Sequence, residues 1–119
     1  MKEKPWHKFY DYYVPTTIRY PRMPVHRLFF RSASAFADRA AIDFYGSEIT
    51  FWQLREDVVR MAHALVRLGV KKGDRVGIQL PTCPQFPIAY LASLSLGAIV
   101  VNVNPLYTAE ELRNVITTT

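Results

Sequence analysis

The stretch "LGVKKGDRVGIQLP" (residues 68–81) decides how the chain is read. Two glycines, two lysines and an aspartate stand there between apolar runs. Such a segment either grips a phosphate or carries a helix into a strand. The residues before it answer the question. Thr50 and Gln53 match a capping box, and Leu54, Val58, Met61, Ala62, Leu65 and Leu68 recur at helical steps. Gly69 then falls just past the helix, where left-handed backbone is needed and glycine costs least. Val70 can pack back on the helix end, and Lys71 and Lys72 suit its negative pole. Gly73 and Asp74 turn the chain into a strand, "RVGIQL" (75–80). A phosphate loop has the opposite order, with the strand first and the anion on the N-terminus of the next helix. The spacing also misses G-x-x-x-x-G-K-[ST]. The segment therefore reads as a helix-to-strand turn.

Downstream, "PTCPQFPIAYLASLSLG" (81–97) predicts a largely buried helix, capped by Thr82 or Cys83, with Pro84 in its first position. "AIVVNV" (98–103) is a β-branched strand and "NPLY" (104–107) a turn. Thr108 and Glu111 form a second capping box, ahead of Leu112, Val115 and Ile116 on one face. Apolar strands alternating with helices predict an α/β fold, a parallel-sheet segment with right-handed crossovers. Upstream, "AAIDFY" (40–45), "YGSE" (45–48) and "IT" (49–50) read as a small hairpin. A helix from Pro24 to about Ala37 carries Val25, Leu28, Phe29 and Phe36 on one side. On the outer side of the central helix, Glu56 stands four residues before Arg60, a spacing that suits an ion pair.

Charge divides the chain in two. Residues 1–31 hold seven basic and two acidic side chains, and residues 32–119 hold eight of each, so the net +5 belongs to the N-terminus. The neutral remainder lacks the basic face of a nucleic-acid-binding domain. The arm, residues 1–23, interleaves cations with Trp6, Phe9, Tyr10, Tyr12 and Tyr13, and Pro15 and Pro21 break any helix. That composition suits single-strand stacking or a membrane surface. It also suits packing on the arm's own domain or on a second subunit of a symmetric dimer. Residues 24–119 form the second unit, a partial α/β subdomain. One cysteine, Cys83, rules out an internal disulfide. The N-terminus shows no signal-peptide pattern, and the apolar run 86–101 is too short and too interrupted to span a bilayer. The expected location is cytoplasmic or membrane-associated, with peripheral membrane contact at most.

Ligands on parallel sheets bind beyond the strands' carboxyl ends. Here those ends are "LPTCPQ" (80–85) and "VNPLYT" (103–108). Cys83 has no base near it in sequence, and Thr82 and Thr108 read as helix caps. Asn102 and Asn104 close turns or bond a ligand. His63 falls about 180° around its helix from Leu54 and faces solvent. The sequence offers no paired carboxylates, metal cluster or Gly-rich loop after a strand. Chemistry read from these residues names no reaction.

Resemblance adds one. Residues 49–112 resemble the N-terminal region of the adenylate-forming acyl-CoA synthetase superfamily. They follow its run of an aromatic-x-x-Leu helix start, L-G-V-x-x-G-D-R-V, L-P-N-x-x-x-F, a small-residue helix ending in Gly-Ala, and V-x-x-N-P. Thr82 departs from it, standing where the family usually has asparagine. "VNPLYTAEEL" (103–112) and "YPRMPVHRLFFRSASAFADRAAIDFYG" (20–46) are similar to the long-chain fatty-acid:CoA ligase branch. The resemblance implies the N-terminal lobe of that fold and a two-step reaction. A fatty carboxylate attacks the α-phosphorus of ATP with Mg²⁺ assisting, and the CoA thiol then displaces AMP. The family's phosphate loop, nucleotide motifs and mobile-domain lysine have no counterpart here. No catalytic, cofactor or metal residue is therefore carried over, and the chain is expected to be an inactive N-terminal fragment of a longer ligase. An aryl-acid ligase, a peptide-synthetase adenylation domain and a stand-alone interaction module are the other readings.

Overall fold

In the computed structural model, residues 4–118 are described; Lys2, Glu3 and Thr119, which the sequence reading assigned to the arm and to the end of the subdomain, lie outside them. The central helix-to-strand turn forms as its residues dictate. Helix α2 (Phe51–Arg67) opens on a complete capping box. The Gln53 amide donates to Thr50 Oγ1 at 3.2 Å, and the Thr50 amide donates to Gln53 Oε1 at 2.9 Å. At the other end Gly69 adopts φ 93°. Its N–H bonds to the Val66 carbonyl and that of Val70 to the Leu65 carbonyl, each at 3.0 Å. This pair of bonds is a Schellman motif, and it turns Val70 back against the core. Asp74 then closes the next turn by accepting the Lys71 amide at 2.7 Å.

Strand β3 (Arg75–Ile78) pairs in parallel with β4 (Ile99–Asn102), and α3 (Gln85–Ser95) connects them. The strands are shorter than the sequence suggests. The backbone ladder ends where the Val103 amide bonds to the Ile78 carbonyl at 2.9 Å. An antiparallel hairpin, β1 (Ala40–Phe44) and β2 (Ser47–Thr50), sits upstream and makes a separate sheet. Its two turn residues, Tyr45 and Gly46, have φ 52° and 80°. Both positive values match the type I′ turn that suits twisted strands. Asp43 Oδ1 accepts the Gly46 amide at 3.0 Å and fixes the turn.

The core is built around Leu54, Val58 and Leu65 of α2 and Ala92 of α3. Helix α3 is half-buried or buried from Phe86 to Leu96, as its sequence predicts. The residues it buries most deeply are small: Ala89, Ala92 and Ser93. Ser93 is satisfied by donating to the Ala89 carbonyl at 2.8 Å. Small side chains let α2 and α3 approach closely.

Four details correct the sequence reading. Helix α1 (Val25–Ala35) buries Ala33 and packs Phe29 and Phe30 on the core, while Val25 and Leu28 stay exposed. Its inward face is rotated by about 90°, at 100° per residue, from the expected one. Leu68 is the C-cap of α2 and is 81% exposed, because the chain has already turned away. Arg60 pairs with Asp57 at 3.2 Å, three residues before it, rather than with Glu56. Among the described residues no side chain caps α3, whose N-cap is Pro84. Pro84 and Pro87 carry no N–H, so fewer donors there need a partner.

Helix α4 (Ala109–Thr118) follows the second capping box. The Thr108 amide donates to Glu111 Oε2 at 2.7 Å, and the Glu111 amide to Thr108 Oγ1 at 3.3 Å. Leu112 and Val115 are half-buried, but Ile116 is 68% exposed, so the predicted apolar face is only partly covered. A mostly apolar cleft of about 210 Å³, lined also by Arg75, separates Val115 and Ile116 from Gly77 and Val101 of the sheet and from Val103 just past it.

Candidate functional site

The parallel pairing of β3 and β4 brings their carboxyl ends side by side, as a ligand site on such a sheet requires. The Gln79 side-chain amide reaches from one strand end to the Asn104 carbonyl on the other, 3.4 Å away. This link is invisible in the sequence, because the two residues are 25 positions apart; only their places just past the two strands hint at it.

The segment after β3 forms a shallow, mostly apolar depression of about 260 Å³, lined by Leu80, Pro81, Thr82, Cys83, Phe86 and Pro87. Cys83 is half-buried there and carries a free thiol. Thr82 is exposed. The Phe86 and Tyr90 rings stack at 6.0 Å along the same helix. After β4, Asn104 Oδ1 accepts the Leu106 amide at 3.0 Å, so its side chain closes the turn. Asn102 ends β4, paired with Ile78, instead of forming the turn. His63 is exposed on α2, away from the strand ends, beside Arg60 and Arg67.

Thr108 and Glu111 are occupied with each other. The Thr108 backbone N–H and hydroxyl hold the Glu111 carboxyl below the usual glutamate range, by bonding to its ionised form. That shift belongs to a helix cap. Among the described residues no three His, Cys, Asp or Glu side chains gather to hold a metal ion. The donor set does not fit ATP or Mg²⁺: the depression offers one hydroxyl and one thiol among apolar groups, with no cluster of cations or carboxylates. It does not fit the phosphates of CoA for the same reason.

The fold has known relatives. Residues 29–119 match the family model described as AMP-binding enzyme. The chain belongs to this AMP-binding enzyme family. It is 41% identical over 110 residues to a long-chain-fatty-acid–CoA ligase of Bacillus subtilis (strain 168), a match that covers 92% of this chain and 20% of that protein. A 4-coumarate–CoA ligase from Humulus lupulus is 33% identical over 107 residues, covering 88% of this chain and 19% of the relative. Among solved structures, an artificially fused adenylation–PCP di-domain NRPS from Klebsiella oxytoca superposes with a TM-score of 0.79 at 30% identity. It covers 82% of this chain and 19% of that one. The chain thus spans about a fifth of the length of the relatives it matches. The family model begins at Phe29, but 92% coverage in the Bacillus match takes in much of the arm as well.

Proposed function

We propose that this chain is the N-terminal part of a long-chain fatty-acid:CoA ligase, which joins a fatty acid to CoA at the expense of ATP. The observation that carries the reading is the 41% identity to a long-chain-fatty-acid–CoA ligase over 92% of the chain, against 33% to the 4-coumarate ligase over 88%. In this reading the described residues supply a wall of the enzyme. Helix α3 backs the short parallel sheet, and α2 packs behind it on α3 and the hairpin. The groups that handle the nucleotide come from elsewhere in the ligase, since the strand ends here carry apolar and capping residues.

A second reading, an adenylation enzyme for aryl or amino acids, draws on the superposition with the Klebsiella NRPS. Pyrophosphate exchange by the full-length protein separates the two. Exchange dependent on palmitate or oleate is the expected result. Exchange that responds to coumarate, a hydroxybenzoate or an amino acid and not to fatty acids would move the assignment to the second reading.

A further inference from the structure

Helix α2 buries one face and leaves the other bare. Leu54, Val58 and Leu65 enter the core, while Trp52, Val59 and Val66 are exposed. These three recur every seventh residue, so at ~100° per residue they keep within about 40° of one line along the outer side. Single exposed apolar residues are ordinary, but a straight stripe at this spacing is the seam by which two helices pack. The Arg55 guanidinium lies over the Trp52 ring, 5.1 Å from its centroid, and steadies it. Charges flank the stripe on its other side. Arg60 pairs with Asp57, while Glu56 and Arg67 make no ion pair among the described residues.

The order of those charges names the occupant. An antiparallel second copy, related by a twofold axis through Val59, sets Val59 against the partner's Val59 and Trp52 against the partner's Val66. At ~1.5 Å rise per residue, Glu56 lies about 4.5 Å from the axis, between the partner's Arg60 at about 1.5 Å and the partner's His63 at about 6 Å. The partner's Arg67, at about 12 Å, reaches the ring of Trp52 at about 10.5 Å. Each contact away from the axis occurs twice. A parallel copy would set Arg60 and Arg67 each against itself, and like charge opposes that. An unrelated acidic helix would satisfy the arginines but leave Glu56 facing carboxylates. We propose that the outer face of α2 is a self-association surface, on which a second copy of this chain packs its own α2 antiparallel about Val59. The stripe spans about two heptads, fewer than a lasting coiled coil needs, so the dimer forms reversibly and grows with concentration.

Sedimentation equilibrium of the full-length protein over a wide concentration range tests this. The mass should double as concentration rises. Val59→Glu places two carboxylates on the twofold axis and should weaken the dimer at least ~100-fold. Glu56→Arg removes two attractions and adds repulsion, and should weaken it about tenfold. Glu56→Arg/Arg60→Glu exchanges the charges and should restore the wild-type affinity. All three variants should keep the wild-type Tm at a dilution where the wild type is monomeric, because the altered side chains are exposed in the single chain. The proposal is overturned if the wild type sediments as a monomer throughout, if Val59→Glu dimerises as the wild type does, or if the exchange restores nothing. It is equally overturned if Val59→Glu lowers the Tm of the monomer, which would mean that the rest of the full-length protein covers α2, or if deleting residues 1–23 alone abolishes the dimer.

Discussion

Leu65 and Leu68 stand three residues apart on one helix and have opposite fates. Leu65 is 9% exposed and belongs to the central cluster; Leu68 is the cap residue and lies in water. Leu65→Ala should therefore cost about 2–5 kcal/mol, the usual range for a buried leucine that leaves a cavity. Leu68→Ala should stay within about 0.5 kcal/mol of wild type, as surface substitutions do. Urea unfolding of the two variants checks both numbers, and similar losses would mean that α2 ends later than Gly69. The Asp57–Arg60 pair lies at the surface too: Arg60 is exposed and Asp57 only half-buried, so the pair contributes about 0–1 kcal/mol.

At the scale of elements, the caps are the most legible features. Thr50 with Gln53 and Thr108 with Glu111 follow from residue type and spacing, because a cap is a local hydrogen bond that needs no tertiary partner. Thr50→Ala should destabilise the protein by about 1 kcal/mol, read as a lower urea midpoint at unchanged slope. The second cap is sensitive to pH. Bonding to Thr108 lowers the folded pKa of Glu111, so its contribution is fully present above the ordinary glutamate value and is lost as pH falls through the lowered one. The amide resonance of Thr108 should follow that titration by NMR, and Glu111→Gln should remove it. The face of α1 was not legible. Val25, Leu28 and Phe29 make as good a helical stripe as Phe29, Phe30 and Ala33, and the choice depends on how α1 meets α2 and α3.

The whole molecule is unusually open. Its radius of gyration is 18.3 Å, against about 13.5 Å for a globule of this length. It exposes 9645 Å², where a monomer of 13.7 kDa would expose ~6,600 Å². The excess, roughly 3,000 Å² on this chain alone, exceeds the ~800 Å² per partner of a standard interface. The aromatic arm, the α4–sheet cleft and the outer side of α1 contribute to it. A wall of a larger enzyme has this form, with one side packed on its own helices and the other built to be covered. Titration calorimetry of the 119-residue chain with ATP should accordingly show no specific binding, and a saturable heat would place nucleotide-handling groups within these residues.

Helix, turn and strand order along residues 50–118 could be read directly, because caps, left-handed glycines and apolar periods act over a few residues. So could the family, which many matched positions in order make specific. Which face of α1 turns inward, that Gln79 meets Asn104, and how much of α4 is covered depended on three-dimensional packing. These rest on contacts between residues far apart in the chain, and short-range spacing carries no information about which of several apolar surfaces wins them.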